Sequence, residues 1–162
     1  MPQLVKGGKH AFGWSVVGSE GEIALPPEAV EEYEFEEPEW LILIPGSRTS
    51  GGFGLGTTKS VGESLIGALI KANPEWARHE GTAGEVVERG GRPYCWAELR
   101  GGRVVIPLET LAKYGIESGD KLLVIRGSGR ALGFAVRGPI VEEADRHPEL
   151  DVFAVPERPE QA

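Results

Sequence analysis

Residues 21–55 and 102–136 align without a gap at a constant offset of 81, and eleven of the 35 aligned positions are identical. The identities include Gly21/Gly102, Pro26/Pro107, Tyr33/Tyr114, Leu41/Leu122, Gly52/Gly133 and Phe53/Phe134. Other pairs keep apolar character, as in Ile23/Val104 and Val30/Leu111. The match echoes outward: Gly7-Gly8-Lys9 answers Gly90-Gly91-Arg92, and Trp14 answers Trp96. Downstream, Asn73-Pro74-Glu75-Trp76 resembles His147-Pro148-Glu149-Leu150. A unit repeated only twice is too short an array for a solenoid. It points instead to two halves packed about a pseudo-dyad, as in a fused homodimer.

Each unit reads as the same run of elements. A strand containing Trp14-Ser15-Val16-Val17 leads through a turn at residues 18–21 into the alternating strand Glu22-Ile23-Ala24-Leu25. Proline then stops the ladder, and Pro27 suits the first turn of a short helix, where its missing N–H costs little. Val30 and Tyr33, matched by Leu111 and Tyr114, form its inward face. Gly115 fits a left-handed helix cap, and Ser118-Gly119-Asp120 turns the chain into Lys121-Leu122-Leu123-Val124-Ile125. That near-continuous apolar run predicts a strand buried on both faces. A Gly-Ser turn and residues 132–136 complete the unit. The first copy departs at the turn: Glu34 replaces the cap glycine, and Pro38-Glu39 replaces Gly-Asp. A helical stretch follows each segment, with a stripe of Val61, Leu65, Ile66, Leu69 and Ile70 in the first half and a shorter Ile140, Val141, Ala144 in the second.

No apolar run approaches the roughly 18 residues of a membrane span, and the start MPQLVKGGKH lacks a secretory signal's apolar stretch. The one cysteine, Cys95, excludes an internal disulfide, and a cytoplasmic location is expected. Net charge is −8, but it is uneven. Residues 1–86 hold six basic and thirteen acidic side chains, whereas residues 87–147 hold ten and eight. Phosphate recognition therefore falls to the second half.

Gly102-Arg103-Val104-Val105-Ile106-Pro107, then Leu111, then Gly115-Ile116-Glu117-Ser118-Gly119-Asp120-Lys121-Leu122 resembles the SpoVT/AbrB/MazE superfamily over about 30 residues. The first copy joins through the repeat. The resemblance implies a mainly β fold with short helices, a pseudo-twofold swapped-hairpin AbrB-like barrel formed by two tandem repeats with helical appendages. The boundaries that follow are residues 1–76 for repeat 1 (barrel segment 14–55, helix about 59–72) and 77–84 for a linker. Residues 85–150 form repeat 2 (barrel segment 95–136, short helix about 139–146), and 151–162 a C-terminal tail whose last six residues, 157–162, are expected to fray. The chain is then pseudo-dimeric in itself, with further association open. Relatives are commonly DNA-binding regulators or antitoxins, while other barrels of the superfamily lack evident DNA binding. Those DNA binders often carry arginines in the short helix. This chain offers Leu111, Ala112, Lys113 in one copy and Val30, Glu31, Glu32 in the other, and Glu22 stands opposite Arg103 in the alignment.

The candidate DNA-contacting set is Lys9, Arg89, Arg92, Arg100 and Arg103, on or near the first hairpins. Each also fits a solvated surface paired with nearby Glu. The run 28–39 carries seven Glu in twelve residues, which reads as a solvated face or a dock for a basic protein. The glycine-rich stretch 51–56 before Thr57-Thr58-Lys59-Ser60 is not a phosphate loop, because Thr58 stands where glycine must precede Lys-Ser. The turns at 45–52 and 126–133 fit hairpin turns, and alternatively the rims of a ligand site with Arg48 and Arg130. Scattered histidines and a lone cysteine give no metal-ligand spacing, and no nucleophile–base set is visible, so neither cofactor nor enzymatic activity is expected. Trp14, Trp40, Trp96 and Cys95 read as core or half-buried strand residues. Two functions follow: a DNA-binding transcriptional regulator working through the second repeat's basic residues, or a non-enzymatic barrel that binds a protein or small ligand.

Overall fold

The computed structural model describes residues 3–5, 9–57, 63–78, 82–126 and 131–155. The fold is mainly β with four short helices. In chain order the first half contains β1 (Gln3–Val5), β2 (Lys9–Val16), β3 (Glu22–Ala24), α1 (Pro27–Glu32), β4 (Glu39–Pro45), β5 (Phe53–Gly56) and α2 (Glu63–Ala72), then a 3-10 turn over Pro74–Arg78. The second half contains β6 (Val87–Arg89), β7 (Arg92–Leu99), β8 (Arg103–Val105), α3 (Leu108–Lys113), β9 (Lys121–Arg126), β10 (Leu132–Ala135), α4 (Pro139–Ala144) and β11 (Val152–Ala154).

Strand pairing crosses between the halves. The main sheet runs β1-β2-β9-β10-β5-β4-β7-β6, with β11 parallel to β2, and β3 pairs β8 as a separate ribbon. Apart from β11, exchanging the halves maps this pairing list onto itself: β2 on β9 becomes β7 on β4. The register agrees, since Trp14 faces Leu123 as Trp96 faces Ile42. Ile23↔Val104 and Phe53↔Phe134 lie on the pseudo-dyad, each residue facing its own counterpart. The two phenyl rings stack at 4.8 Å. Backbone bonds repeat too: Leu25 N–H donates to Gly102 O at 2.9 Å, and Ile106 N–H to Gly21 O at 3.0 Å.

Proline sets both short helices. Pro26 and Pro107 precede them with extended φ/ψ, and Pro27 occupies the first turn of α1. Each helix then exits through a left-handed residue, Gly115 at φ 79° and Glu34 at φ 55°. Where Asp120 Oδ2 accepts from Glu117 N–H at 2.8 Å, Glu39 Oε1 accepts from Glu36 N–H at 2.9 Å. The first copy therefore keeps the turn despite its different residues.

The apolar residues sort into three clusters. The central core draws on both halves, with Phe12, Leu41, Leu43, Phe53, Cys95, Leu111, Tyr114, Leu122, Val124 and Phe134 among its members. The outer faces of β2 and β9 bury Trp14, Leu123 and Ile125 against Ala144 of α4 and Leu150. The outer faces of β4 and β7 bury Trp40, Ile42 and Tyr94 against Leu69 of α2 and Trp76. Burial on both sides explains the unbroken apolar runs of β4 and β9. The sequence echo of Trp76 and Leu150 has a physical basis, because each closes the outer flank of its half. Even the ring contacts correspond: Lys121 Nζ sits 4.6 Å over the Trp14 ring, and its counterpart Trp40 stacks on Trp96 at 5.4 Å.

One expectation needs correction. The sheet does not close into a barrel: among the described residues its path ends at β1 and β6. A strand has two edges, and the outer edge of β2 is taken by β1 and β11 while that of β7 is taken by β6. Within the tail 151–162, Val152, Phe153 and Ala154 pair with Trp14, Ser15 and Val16, and the stretch 157–162 expected to fray is not among the described residues. The linker 77–84 is anchored at its far end, where Gly84 N–H donates to Trp96 O at 2.8 Å and Gly84 O accepts from Thr110 Oγ1 at 2.6 Å. The first-half helix expected over 59–72 is described from Glu63, and residues 58–62 lie outside. No helix among the described residues is long and apolar enough to cross a membrane.

Candidate anion-binding cleft

The hairpin arginines divide into two pairs. Arg89 and Arg92 face each other across the β6–β7 hairpin, whose two-residue turn, Gly90-Gly91, has φ 61° and 75°. Arg100 and Arg103 form a bridge at the other end of β7. Eight residues of extended chain separate Arg92 from Arg100, about 26 Å. Lys9 opens β2 in the first half, paired with Val5 of β1. The set therefore does not form one patch.

The two ends of β7 also differ in charge. Arg100 is ion-paired with Glu98 at 2.9 Å, and Glu37 Oε1 accepts from Gly102 N–H at 2.7 Å. The carboxylate of Glu98 holds the Arg100 guanidinium charged well beyond the usual range. Arg103 is exposed on the ribbon, beside half-exposed Val105 and on the strand paired to Glu22.

At the Arg92 end lies an open cleft of about 530 Å³. Its walls are the β4–β5 loop with Arg48, the Gly90-Gly91 turn with Arg92, the end of α3 with Lys113, and Arg137 after β10. Among the described residues, it brings four cationic side chains together and no carboxylate lines it. Two guanidinium groups are held by backbone carbonyls rather than by acids. Arg92 donates to Gly46 O at 3.0 Å and Pro45 O at 3.3 Å, and Arg137 donates to Arg48 O at 3.0 Å. Gly46 and Arg48 are two residues apart, so the two bonding nitrogens lie within about 13 Å of each other. An arginine has five N–H donors, so each retains free ones. Among the described residues, carboxylates pair with Arg100, Arg126 and Arg146, but with none of the four cleft cations. The mouth is open beside three glycines: a Cβ on Gly90, Gly91 or Gly115 would meet nothing within 4 Å.

The floor is rigid. Tyr114 is buried, its hydroxyl donates to Pro93 O at 3.2 Å, and its ring packs edge-on against Phe53. The Cys95 thiol lies 3.7 Å from that hydroxyl and is pushed up to about 11 by burial, the hydrogen bond offsetting part of the effect. Burial, with Cys95 beside it, pushes the Tyr114 phenol upward as well. Both groups stay neutral near pH 7, and the charge of the cleft comes from its rim alone.

Sequence reasoning placed Arg92 in the basic set and Arg48 on a loop rim. Arg130, expected to match Arg48 on the opposite rim, lies outside the described residues. Arg137 and Lys113 were missed as site residues. The legible signal was a charge reversal at one aligned position, Lys113 against Glu32. The glycine stretch before Lys59 forms strand β5, paired on both edges. No cluster of metal-binding side chains occurs among the described residues. Neither a family model, a curated protein nor a solved structure matches this chain.

Proposed function

We propose that this chain is a non-enzymatic, cytoplasmic binding module of the AbrB-like type, in which two tandem repeats form one swapped-hairpin body that recognises a small ligand rather than a DNA operator. The self-matching strand pairing and the equivalent roles of Trp76 and Leu150 support the first part. One observation carries the second: the five residues expected to contact DNA fall at separate ends of the sheet. A duplex read as two half-sites needs matching charge from both halves. Here Arg103 is answered by Glu22, and Lys113 by Glu32.

The DNA-regulator reading keeps one specific support, the exposed Arg103 side chain, which has no partner among the described residues. Retention on duplex DNA at low and moderate salt decides between them, because phosphate contacts are strongly salt-dependent. The expected result is no retention even at low salt. Salt-sensitive retention that vanishes in Arg103→Ala overturns the small-ligand reading.

A further inference from the structure

The geometry points to a specific ligand chemistry: we propose that the cleft bounded by Arg48, Arg92, Lys113 and Arg137 binds two linked phosphoryl groups, as in a diphosphate. This names the ligand of the module proposed above and rests on that reading.

Charge is the first argument. Four cations converge from four separate chain segments with no carboxylate on the lining among the described residues, in a chain whose net charge is −8. Uncompensated like charges repel one another, so their convergence leaves a site that gains from an anion. A phosphoryl group carries about −1.5 to −2 near pH 7, so four cations match two such groups rather than one. Preorganisation is the second argument. Arg92 and Arg137 are anchored on carbonyls of one loop, which fixes their spacing before a ligand arrives. Their planar donors suit phosphate oxygens.

Shape is the third argument. At about 530 Å³ the cleft has the size of a small-molecule site. Among the described residues its one aromatic lining residue, Tyr114, is buried with its hydroxyl engaged, so they offer no stacking platform for a base. Recognition therefore falls on the phosphoryl groups, whether free or carried by a larger molecule.

The equivalent end of the other half provides an internal control. Glu32 stands in the place of Lys113, and both its carboxylate oxygens pair with Arg126, at 2.5 and 2.6 Å. That guanidinium is already neutralised by a carboxylate held by the chain itself.

Titration of the intact protein with inorganic pyrophosphate, followed by amide NMR and calorimetry, tests the proposal. Saturable shifts are expected at Gly90, Gly91 and Gly115, weakening as salt rises. Inorganic phosphate should bind more weakly, and a nucleoside diphosphate about as well as pyrophosphate. Arg137→Ala and Lys113→Ala should each weaken binding about tenfold, the loss of one charge-assisted contact. Arg100→Ala, outside the cleft, should leave it unchanged. Both cleft side chains are exposed, and the amide spectrum of each variant reports whether it is folded. Absence of saturable shifts with pyrophosphate overturns the proposal. So does equal weakening by Arg100→Ala, or shifts centred on Arg103. Failure here with no DNA retention leaves the small-ligand module standing, whereas DNA retention removes that module whatever pyrophosphate does.

Discussion

The two ends of the molecule related by the pseudo-dyad differ, among the described residues, in the charge carried at one aligned helix position. At one, Lys113 follows Leu111 on α3 and faces a cleft with Arg48, Arg92 and Arg137. At the other, Glu32 occupies the matching place on α1 and is spent on Arg126. The aligned tyrosines differ as well: Tyr114 is buried and donates to Pro93 O at 3.2 Å, whereas Tyr33 is only partly buried and donates to Ala131 O at 3.3 Å. Core positions such as Phe53 and Phe134 have kept their roles in both copies, while one rim position, Lys113 against Glu32, has changed sign. The interior serves both halves at once, so a change there is felt twice, whereas a rim residue serves one end only.

The largest effects should fall where the halves meet. Phe53→Ala and Phe134→Ala each remove a fully buried ring and should each cost about 3–5 kcal/mol in urea denaturation. The two should be alike in cost and coupled by about 0.5–1.5 kcal/mol in a double-mutant cycle, because the rings stack. Additive losses would break the equivalence.

Two identical glycines sharpen it next. Gly21 and Gly102 both have positive φ, 88° and 76°, but only Gly21 is hemmed in. A Cβ there would lie 1.8 Å from Ile106 O, while one on Gly102 meets nothing within 4 Å. Gly21→Ala should therefore cost about 2–4 kcal/mol, from backbone strain plus overlap, and Gly102→Ala about 1 kcal/mol from strain alone. Equal Tm losses would contradict this asymmetry.

A smaller effect is expected at the helix exits. Gly115→Ala should destabilise by about 1 kcal/mol, since a side chain is strained at φ 79°. Glu34→Gly should stabilise by less, because relief of strain at φ 55° is partly cancelled by the freer unfolded chain. Chemical denaturation of the pair checks both signs.

The flanks differ in pH response. His147 bonds Glu149 at 2.9 Å and Glu143 at 3.0 Å, whereas its counterpart Asn73 donates to Leu69 O at 3.1 Å. Hydrogen bonds to Glu149 and then Glu143 raise the His147 pKa above its ordinary 6.5. Its stabilising contribution is complete below the unfolded value and fades as pH rises through the raised folded one. His147 lowers Glu143 most, and a backbone hydrogen bond followed by His147 lowers Glu149. Those contributions are present above the unfolded carboxylate range and fade as pH falls through the lowered folded values. The α4 flank is thus tightest between the two transitions. An NMR titration should place the His147 midpoint above 6.5. A midpoint at or below that value would contradict the pairing.

Much of the fold was legible because the repeat constrains each element twice. Pro26/Pro107, the left-handed exit at Gly115 and the echo of Trp76 by Leu150 were all readable in the repeat, whereas the left-handed Glu34 was not, because a non-glycine residue gives no sign of that conformation. Strand β11 was not legible: three residues carry too little pattern, and their partner on β2 lies about 140 residues upstream in sequence. The open sheet was missed for the same reason, since edge occupancy by β1, β6 and β11 is a non-local outcome. The cleft drew on residues at 48, 92, 113 and 137, which no local window contains together. Its trace in the sequence was the sign change between Glu32 and Lys113, which reads as surface variation until the chain is folded.

The central claim is that strands of the two halves interleave in one body, so that neither half is stable apart from the other. Hydrogen exchange of the native chain in rising urea tests this directly. Amides of β2, β4 and β5 should merge with those of β7, β9 and β10 into a single unfolding isotherm. Two isotherms, with first-half strands opening separately from second-half strands, would contradict it.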